Sequence, residues 1–155
     1  MELKGIIDVN KDLKHCIDKI SNLSHVIPCL PNLINYEIIN SNSAKARFRA
    51  ELKGLPPFLS YLSRITANVI INIDDIDYSN HIVIYSFSGD AAGLKYTGTI
   101  NLHLKDNNKA TLIEWSASVD LGKIASMLSK FVNIDYIINN IVTDTVNSFK
   151  KCIES

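Results

Sequence analysis

Residues 110–151 read ATLIEWSASVDLGKIASMLSKFVNIDYIINNIVTDTVNSFKK, and this stretch decides the fold. Its first part predicts a strand from Ala110 to Leu121, followed by a turn at Gly122. From Lys123 to about Lys151 the apolar residues recur at helical spacing and fall within an arc of roughly 140°. They are Ile124, Met127, Leu128, Phe131, Ile138, Ile141, Val142, Val146 and Phe149. A long helix with one such stripe requires a broad apolar surface to lie on.

The preceding chain predicts the sheet that such a helix needs. Short helices fit between Asp12 and Val26, and the strands lie at Met1–Val9, Leu33–Ile39, Ala44–Leu52, Ile65–Ile73, His81–Phe87 and Leu94–Leu104. Turn-forming residues separate the later strands at Asn40–Ser43, Asp74–Asp77, Ser88–Gly93 and Asp106–Asn108. We therefore predict an α+β fold in which a curved antiparallel meander of about seven strands wraps around the C-terminal helix. A curved sheet of this kind need not fill its interior, so we expect a cavity between sheet and helix.

Bulk composition narrows the classes of protein. The 155 residues suit one domain, residues 1–155, and the sixteen basic residues balance sixteen acidic ones. With no net charge, the protein has no overall electrostatic attraction for nucleic acid. No apolar run is long enough to span a bilayer. The three cysteines have no metal-binding or redox spacing, which fits a reducing cytosol. We expect a cytoplasmic protein without a metal or other cofactor.

Two short motifs resemble those of a known family. Cys29-Leu30-Pro31-Asn32-Leu33 is similar to a Leu-Pro-Gly segment between the first helices and the second strand, and Val119–Ala125 resembles a strand-glycine-helix junction. With the order of elements, they indicate the helix-grip fold of the START-like (SRPBCC) superfamily. Within it, the sequence resembles the CoxG family, named for a subunit of carbon monoxide dehydrogenase. Asn32 stands where that family usually has glycine, which predicts a left-handed backbone there.

The resemblance implies a non-enzymatic carrier of a hydrophobic molecule such as a lipid, a quinone or an isoprenoid. The carrier would act for a carbon monoxide dehydrogenase-type redox or maturation system, with a redox enzyme complex as its partner. Family members often continue past the last helix into a membrane-directed tail, whereas this sequence stops at Ser155. We therefore expect transient membrane contact at most.

A large, mixed set of side chains is expected to line the cavity, although any one of them also fits a plain core position. The set is Tyr36, Phe48, Phe58, Tyr61, Tyr85, Phe87, Tyr96, Trp115, Met127, Phe131 and Asp135. The loop Gly54–Leu62 combines glycine and prolines with large apolar residues, which is unusual for a loop. Its Leu55, Phe58, Leu59 and Leu62 either gate an entrance, touch a membrane or partner, or fold down as a lid on the core.

Asp135 projects onto the apolar stripe of the predicted helix, between Phe131 and Ile138. One interpretation is a polar anchor that faces the cavity. The other is a break in the helix near residues 133–135, which turns Asp135 to solvent, because Asn133 is a good N-cap for a second helical segment.

The sequence contains no recognisable catalytic or metal-binding set. His15, His25, His81 and His103 are far apart, and Gly89–Lys95 lacks the spacing of a phosphate-binding loop. Two alternatives to the carrier remain open. One is an enzyme like the aromatase/cyclase members of the superfamily, which needs polar groups converging in the cavity. The other is a protein-interaction module like the chaperone-activating branch, which needs a filled interior and an apolar surface patch.

Overall fold

The computed structural model describes residues 1–52 and 55–155. Gly54, the first residue of the predicted loop, lies outside them. Seven strands alternate with turns: β1 Glu2–Val9, β2 Leu33–Asn40, β3 Ser43–Glu51, β4 Arg64–Asp77, β5 Ile82–Ala91, β6 Leu94–Asn107 and β7 Ala110–Asp120. The helices are α1 Leu13–Ile20, α2 Leu23–Val26, α3 Lys123–Leu128 and α4 Ile134–Ile153, with 3₁₀ turns at Ile27–Cys29 and Pro57–Leu62.

All strand pairs are antiparallel, in the order β1-β7-β6-β5-β4-β3-β2. The six strands from β2 to β7 form a meander, and β1 adds to its end beside β7. The predicted seven-stranded curved sheet with a C-terminal helix is therefore confirmed. The two tight turns Ala92-Gly93 and Asn108-Lys109 have positive φ at both residues, the geometry that matches the twist of a hairpin.

Two of the predicted turns, Asp74–Asp77 and Ser88–Gly93, lie largely within strands. β4 continues through the predicted Asp74–Asp77 turn, with an irregularity in register between Ile73 and Asp75, and β5 extends to Ala91. The acidic side chains are accommodated by local hydrogen bonds: Ser86 Oγ donates to Asp74 at 2.9 Å, and the Asn80 amide donates to Asp77 at 3.0 Å. Turn-forming residues therefore located the hairpins, but not the exact residues at which the chain turns.

The predicted long helix is two helices. α3 ends at Leu128, and α4 begins at Ile134 after Asn133, whose side-chain oxygen accepts a hydrogen bond from the Tyr136 amide at 3.1 Å. The break predicted as one alternative is therefore confirmed, and Asn133 is the N-cap. Gly122 and Asn32 adopt positive φ angles of 52° and 63°, which confirms the turn and the left-handed backbone predicted for them.

The cysteines correct one prediction. Cys29 and Cys152 form a disulfide with a Cα–Cα distance of 5.4 Å, and only Cys16, which is buried, remains free in the described chain. Spacing rules missed this pair because its members are 123 residues apart and meet only through the fold. Among the described residues, no helix has the length and apolar character needed to cross a membrane.

Replacing Cys29 and Cys152 together by serine should lower the free energy of unfolding by about 2–4 kcal/mol, because the link closes a long loop. Chemical denaturation of wild type and variant measures this difference. A reductant should destabilise the wild type by a similar amount and leave the variant unchanged. Three reactive thiols in unfolded wild type that was never reduced would contradict the disulfide.

A candidate ligand-binding cleft

Two apolar clusters occupy opposite ends of the inward face of the sheet. The main cluster joins α1, α2 and the end of α4 to the sheet, with Ile20, Leu23, Ile113 and Ile153 fully buried. The second cluster consists of Leu59, Leu62 and Leu128, together with their half-buried neighbours Leu52, Leu55, Ile65, Ile124, Met127, Val132 and Ile134.

β4 shows how far apart the clusters are. Ile65, near its start, packs in the second cluster, whereas Val69 is the first residue of β4 in the main cluster. These residues are four positions apart, which is about 13 Å along an extended strand. The inward face therefore has a gap of this length between the two clusters.

The sheet side of this middle region is apolar and only partly covered. The inward residues of successive strands here are Phe48, Ile71, Phe87, Tyr96, Ile100 and Trp115, which pack against the main cluster but remain half-buried. Inward-facing side chains of a fully covered sheet are expected to be buried on this face. Their partial exposure shows that nothing in the described chain covers them completely.

α4 covers this region from one end only. Phe149 and Ile153 near its C-terminus are buried, whereas Ile137, Ile138 and Val142 are half-buried and Ile141 is 48% exposed. Within the described residues, the backbone of α4 approaches β1 and the Ile27–Cys29 turn over more positions than any central strand. We call the region between the N-terminal half of α4 and the six inward residues of the sheet the cleft.

Aromatic rings opposite glycines form part of the floor of the cleft. Trp115 pairs with Gly5, Phe87 with Gly98, and Tyr96 with Gly89. A methyl group on Gly5 would come within 2.7 Å of the indole nitrogen, and one on Gly89 within 2.8 Å of the Tyr96 hydroxyl. Each ring therefore lies across the space that a glycine leaves free, close against the sheet, which keeps the volume above it open.

Two of the tyrosine hydroxyls on the inward face are already hydrogen-bonded. Tyr85 is buried in the main cluster and donates to the Ile20 carbonyl, and burial raises its pKa well above the usual value. Tyr96 donates to the Asn68 carbonyl at 3.1 Å, and burial, aided by the charge of Asp90, raises its pKa to about 12. Both side chains are therefore neutral donors at physiological pH.

The predicted lining residues have different positions. Phe48, Phe87, Tyr96 and Trp115 belong to the cleft, and Tyr36 lies on the edge strand β2, where it is exposed. Tyr85 is a core residue rather than an accessible one, because its ring is enclosed by the main cluster. Sequence reasoning did not single out Ile71 and Ile100, although both follow the inward alternation of their strands.

The 55–62 segment combines packing with exposure. Leu59 and Leu62 are buried and Leu55 is half-buried in the second cluster, so these residues hold the segment down. Phe58 and Tyr61 are 63% and 65% exposed. Phe58 contacts Phe131 edge to face, with ring centroids 5.0 Å apart, and Met127 lies half-buried beneath. The segment therefore joins the 123–134 region and presents aromatic side chains to solvent.

Asp135 does not line the cleft. It is exposed in the first turn of α4, beside an open hollow of about 650 Å³ that Met1, Ser129 and Asn133 also line. The break before α4 turns it to solvent, which corrects its inclusion among the lining residues. No group of three metal-ligating side chains occurs in the described residues.

A hollow of about 580 Å³ on the outward face of the sheet is a separate feature. Its lining consists mainly of polar and charged side chains, among them Lys45, Arg47, Asn68, Asp90 and Lys95. These residues alternate with the inward set on their strands, so the hollow is open to solvent on the side away from α4. Of the six inward residues that define the cleft, only Tyr96 also lines this hollow.

Substituting Gly5 by alanine should push the Trp115 ring off the sheet, because the added methyl group overlaps the indole. We expect a loss of about 1–3 kcal/mol in the free energy of unfolding, with a change in the tryptophan emission maximum. Gly93→Ala is the control: its positive φ makes it strained too, but no atom lies within 4 Å of the added carbon. Unchanged emission in Gly5→Ala would contradict the flat placement of the ring.

Comparison with known proteins gives a consistent result. The family model for CoxG, a subunit of carbon monoxide dehydrogenase, matches residues 5–154. No curated protein matches the sequence significantly.

Solved structures share the fold at low sequence identity. A conserved protein from Geobacillus kaustophilus superposes with a TM-score of 0.78 and 15% identity, over 99% of this chain and 95% of that one. A START superfamily protein from Mycobacterium smegmatis gives 0.60 and 9%, over 99% and 94%. An aromatase/cyclase from Streptomyces sp. R1128 gives 0.59 and 8%, over 99% and 93%. These likenesses concern the fold, and the family match covers nearly the whole sequence: the chain belongs to the CoxG family of carbon monoxide dehydrogenase subunits.

Proposed function

We propose that this chain, acting as one domain, binds a hydrophobic small molecule in the cleft and delivers it without chemical change. The observation that carries the proposal is the partly exposed apolar surface between the two clusters. Apolar area left in water costs about 25 cal/mol per Å². A guest that covers Phe87, Ile100 and Trp115 on one side and Val142 on the other recovers that free energy.

The shape of the cleft supports an elongated, mostly apolar ligand. Its aromatic floor and aliphatic helix side suit a lipid, a quinone or an isoprenoid chain, and aromatic side chains add specific ring contacts. The Tyr85 hydroxyl is already bonded to a backbone carbonyl inside the core. The accessible polar group nearest the floor is the Tyr96 hydroxyl; because it donates its proton to the Asn68 carbonyl, it can accept a hydrogen bond from one ligand hydroxyl.

The 55–62 segment is our candidate for the entrance. Phe58 and Tyr61 offer exposed aromatic area beside Phe131, where a ligand can leave water before it enters the cleft. The same surface suits transient contact with a membrane or with a redox enzyme complex. The family name, which describes a subunit of carbon monoxide dehydrogenase, supports such a complex as the partner and an accessory role in that system.

We also propose that the chain is not an enzyme. An aromatase/cyclase-like reaction needs polar groups that converge on the ligand, and Asp135, the acidic side chain considered for this role, is exposed outside the cleft. The high pKa of Tyr96 opposes a role as a general base at neutral pH. A cytoplasmic location completes the proposal; Cys29 and Cys152 would then be thiols, and the buried Phe149 and Ile153 and the hydrogen bond from Ser148 would hold the end of α4.

Decylubiquinone titration tests binding, because Trp115 is the only tryptophan and a quinone bound beside it should quench its emission. Ile100→Phe narrows the cleft and should weaken binding at least about tenfold, or 1.4 kcal/mol. Ile6→Phe makes the same change at an exposed position of β1 and should bind like the wild type.

A saturable quench in the wild type and in Ile6→Phe, with binding at least about tenfold weaker in Ile100→Phe, supports the proposal. Mass spectrometry of protein incubated with a native lipid extract then identifies the bound species. Equal affinity in all three proteins, or no bound apolar species and no quench, would contradict it.

A further inference from the structure

The edge strand β2 has one hydrogen-bonding side without a partner strand in the described residues. In residues 1–52 and 55–155, β3 is the one element with which β2 makes extensive contact, and every residue of β2 except Leu33 is exposed. Its sequence contains no lysine, arginine or proline, the residues that commonly block an exposed edge. The opposite edge differs, because β1 carries Glu2, Lys4 and Asp8 and α4 packs beside it.

The residues of β2 and its flanks form a chemical mirror about Tyr36. The sequence from Asn32 to Asn40 is NLINYEIIN. Residues at equal distances on either side of Tyr36 have similar chemistry. The matching pairs are Asn35 and Glu37, Ile34 and Ile38, Leu33 and Ile39, and Asn32 and Asn40. In an unbroken antiparallel pairing of two copies, apolar residues would therefore lie opposite apolar ones and polar residues opposite polar ones; the match closest to the axis, Asn35 with Glu37, lies in the regular part of β2.

We propose that β2 pairs antiparallel with β2 of a second copy of this chain, with the two-fold axis at Tyr36. Such an interface uses the same patch on both subunits, which gives a closed dimer. Both inward faces then lie on the same side of one continuous sheet of fourteen strands. The regular part of β2 lies between irregularities in register at Leu33/Asn35 and at Ile38/Asn40, so the contact is centred on Asn35–Ile38.

Other registers are less favourable. A two-residue shift that moves the axis to residue 37 sets two Glu37 carboxylates opposite each other, and like charges there are destabilising. A shift in the other direction sets Leu33 opposite Glu37. A one-residue shift joins the inward face of one copy to the outward face of the other, because side chains alternate along a strand.

The outward neighbours of β2 also fit the proposed register. On β3, Lys45 pairs with Glu37 and Arg47 pairs with Asn35. In the dimer, one row of outward side chains therefore runs Lys45, Glu37, then Asn35 and Arg47 of the second copy. Each Glu37 carboxylate then lies between Lys45 of its own chain and the Asn35 amide of the second copy, and no positively charged side chain lies directly opposite another.

Sedimentation equilibrium tests the dimer. The wild type should sediment at twice the mass of the chain at high concentration, and Ile34→Lys should reduce it to a monomer by placing an ammonium group in the apolar pair with Ile38. Ile70→Lys is the matched control, since Ile70 is 40% exposed against 43% for Ile34 but lies on a central strand. Circular dichroism confirms that both variants fold.

Cysteine cross-linking tests the register. Tyr36→Cys should form an intermolecular disulfide on mild oxidation, because residues at the axis face each other directly. Asn35→Cys mixed with Glu37→Cys should cross-link faster than either variant alone. The natural thiols do not interfere, since Cys16 is buried and Cys29 is paired with Cys152.

A wild type that stays monomeric at every concentration would overturn the proposal, as would a dimer that survives Ile34→Lys. Cross-linking that is fastest for Asn35→Cys or Glu37→Cys alone would also overturn it, because it would place the axis elsewhere. None of these outcomes depends on ligand binding, so the dimer and the carrier function can fail separately.

Discussion

The attachment of α4 at its C-terminal end is the constraint on which the rest of the structure depends. There, the disulfide joins Cys152 to Cys29, Ser148 donates to the Cys29 carbonyl at 2.8 Å, and the His15 ring donates to the Ile153 carbonyl at 2.9 Å. Phe149 and Ile153 are buried in the main cluster, each worth about 1.5–3 kcal/mol. At the other end α4 starts from a capped break beside the second cluster. The helix is thus supported at its ends, and its middle is free to stand away from the sheet.

The glycines of the sheet complement this arrangement. If Gly5, Gly89 and Gly98 carried side chains, the rings of Trp115, Tyr96 and Phe87 would have to rise toward α4. Because they lie flat, the sheet gains aromatic surface without losing the space above it. The stability that a fully packed interior would provide is partly given up, since protein interiors are normally as dense as organic crystals. A ligand that fills the space restores those contacts, so ligand binding and stability are expected to be coupled.

Much of this architecture was predictable from local rules. The patterns of apolar and turn-forming residues located all seven strands and identified the inward side of β6, and Gly122 and Asn32 have the backbone expected for them. The extension of β4 through Asp74–Asp77 was not predictable, because the hydrogen bond from Ser86 that accommodates the acidic side chain comes from a neighbouring strand. The disulfide and the glycine–aromatic pairs depend on register across the sheet. The apolar periodicity of residues 123–151 did not show which way Asp135 points. Periodicity alone does not reveal a break such as the one between α3 and α4, and a break changes which residues lie on the buried side of the helix.

Xenon pressurisation of a crystal tests the central claim most directly, because xenon binds in apolar hollows that protein atoms do not fill. The account predicts a xenon atom between the N-terminal half of α4 and the floor formed by Phe87, Ile100 and Trp115. A crystal structure in which Ile138 and Val142 pack directly onto those residues, with no xenon between them, would contradict it.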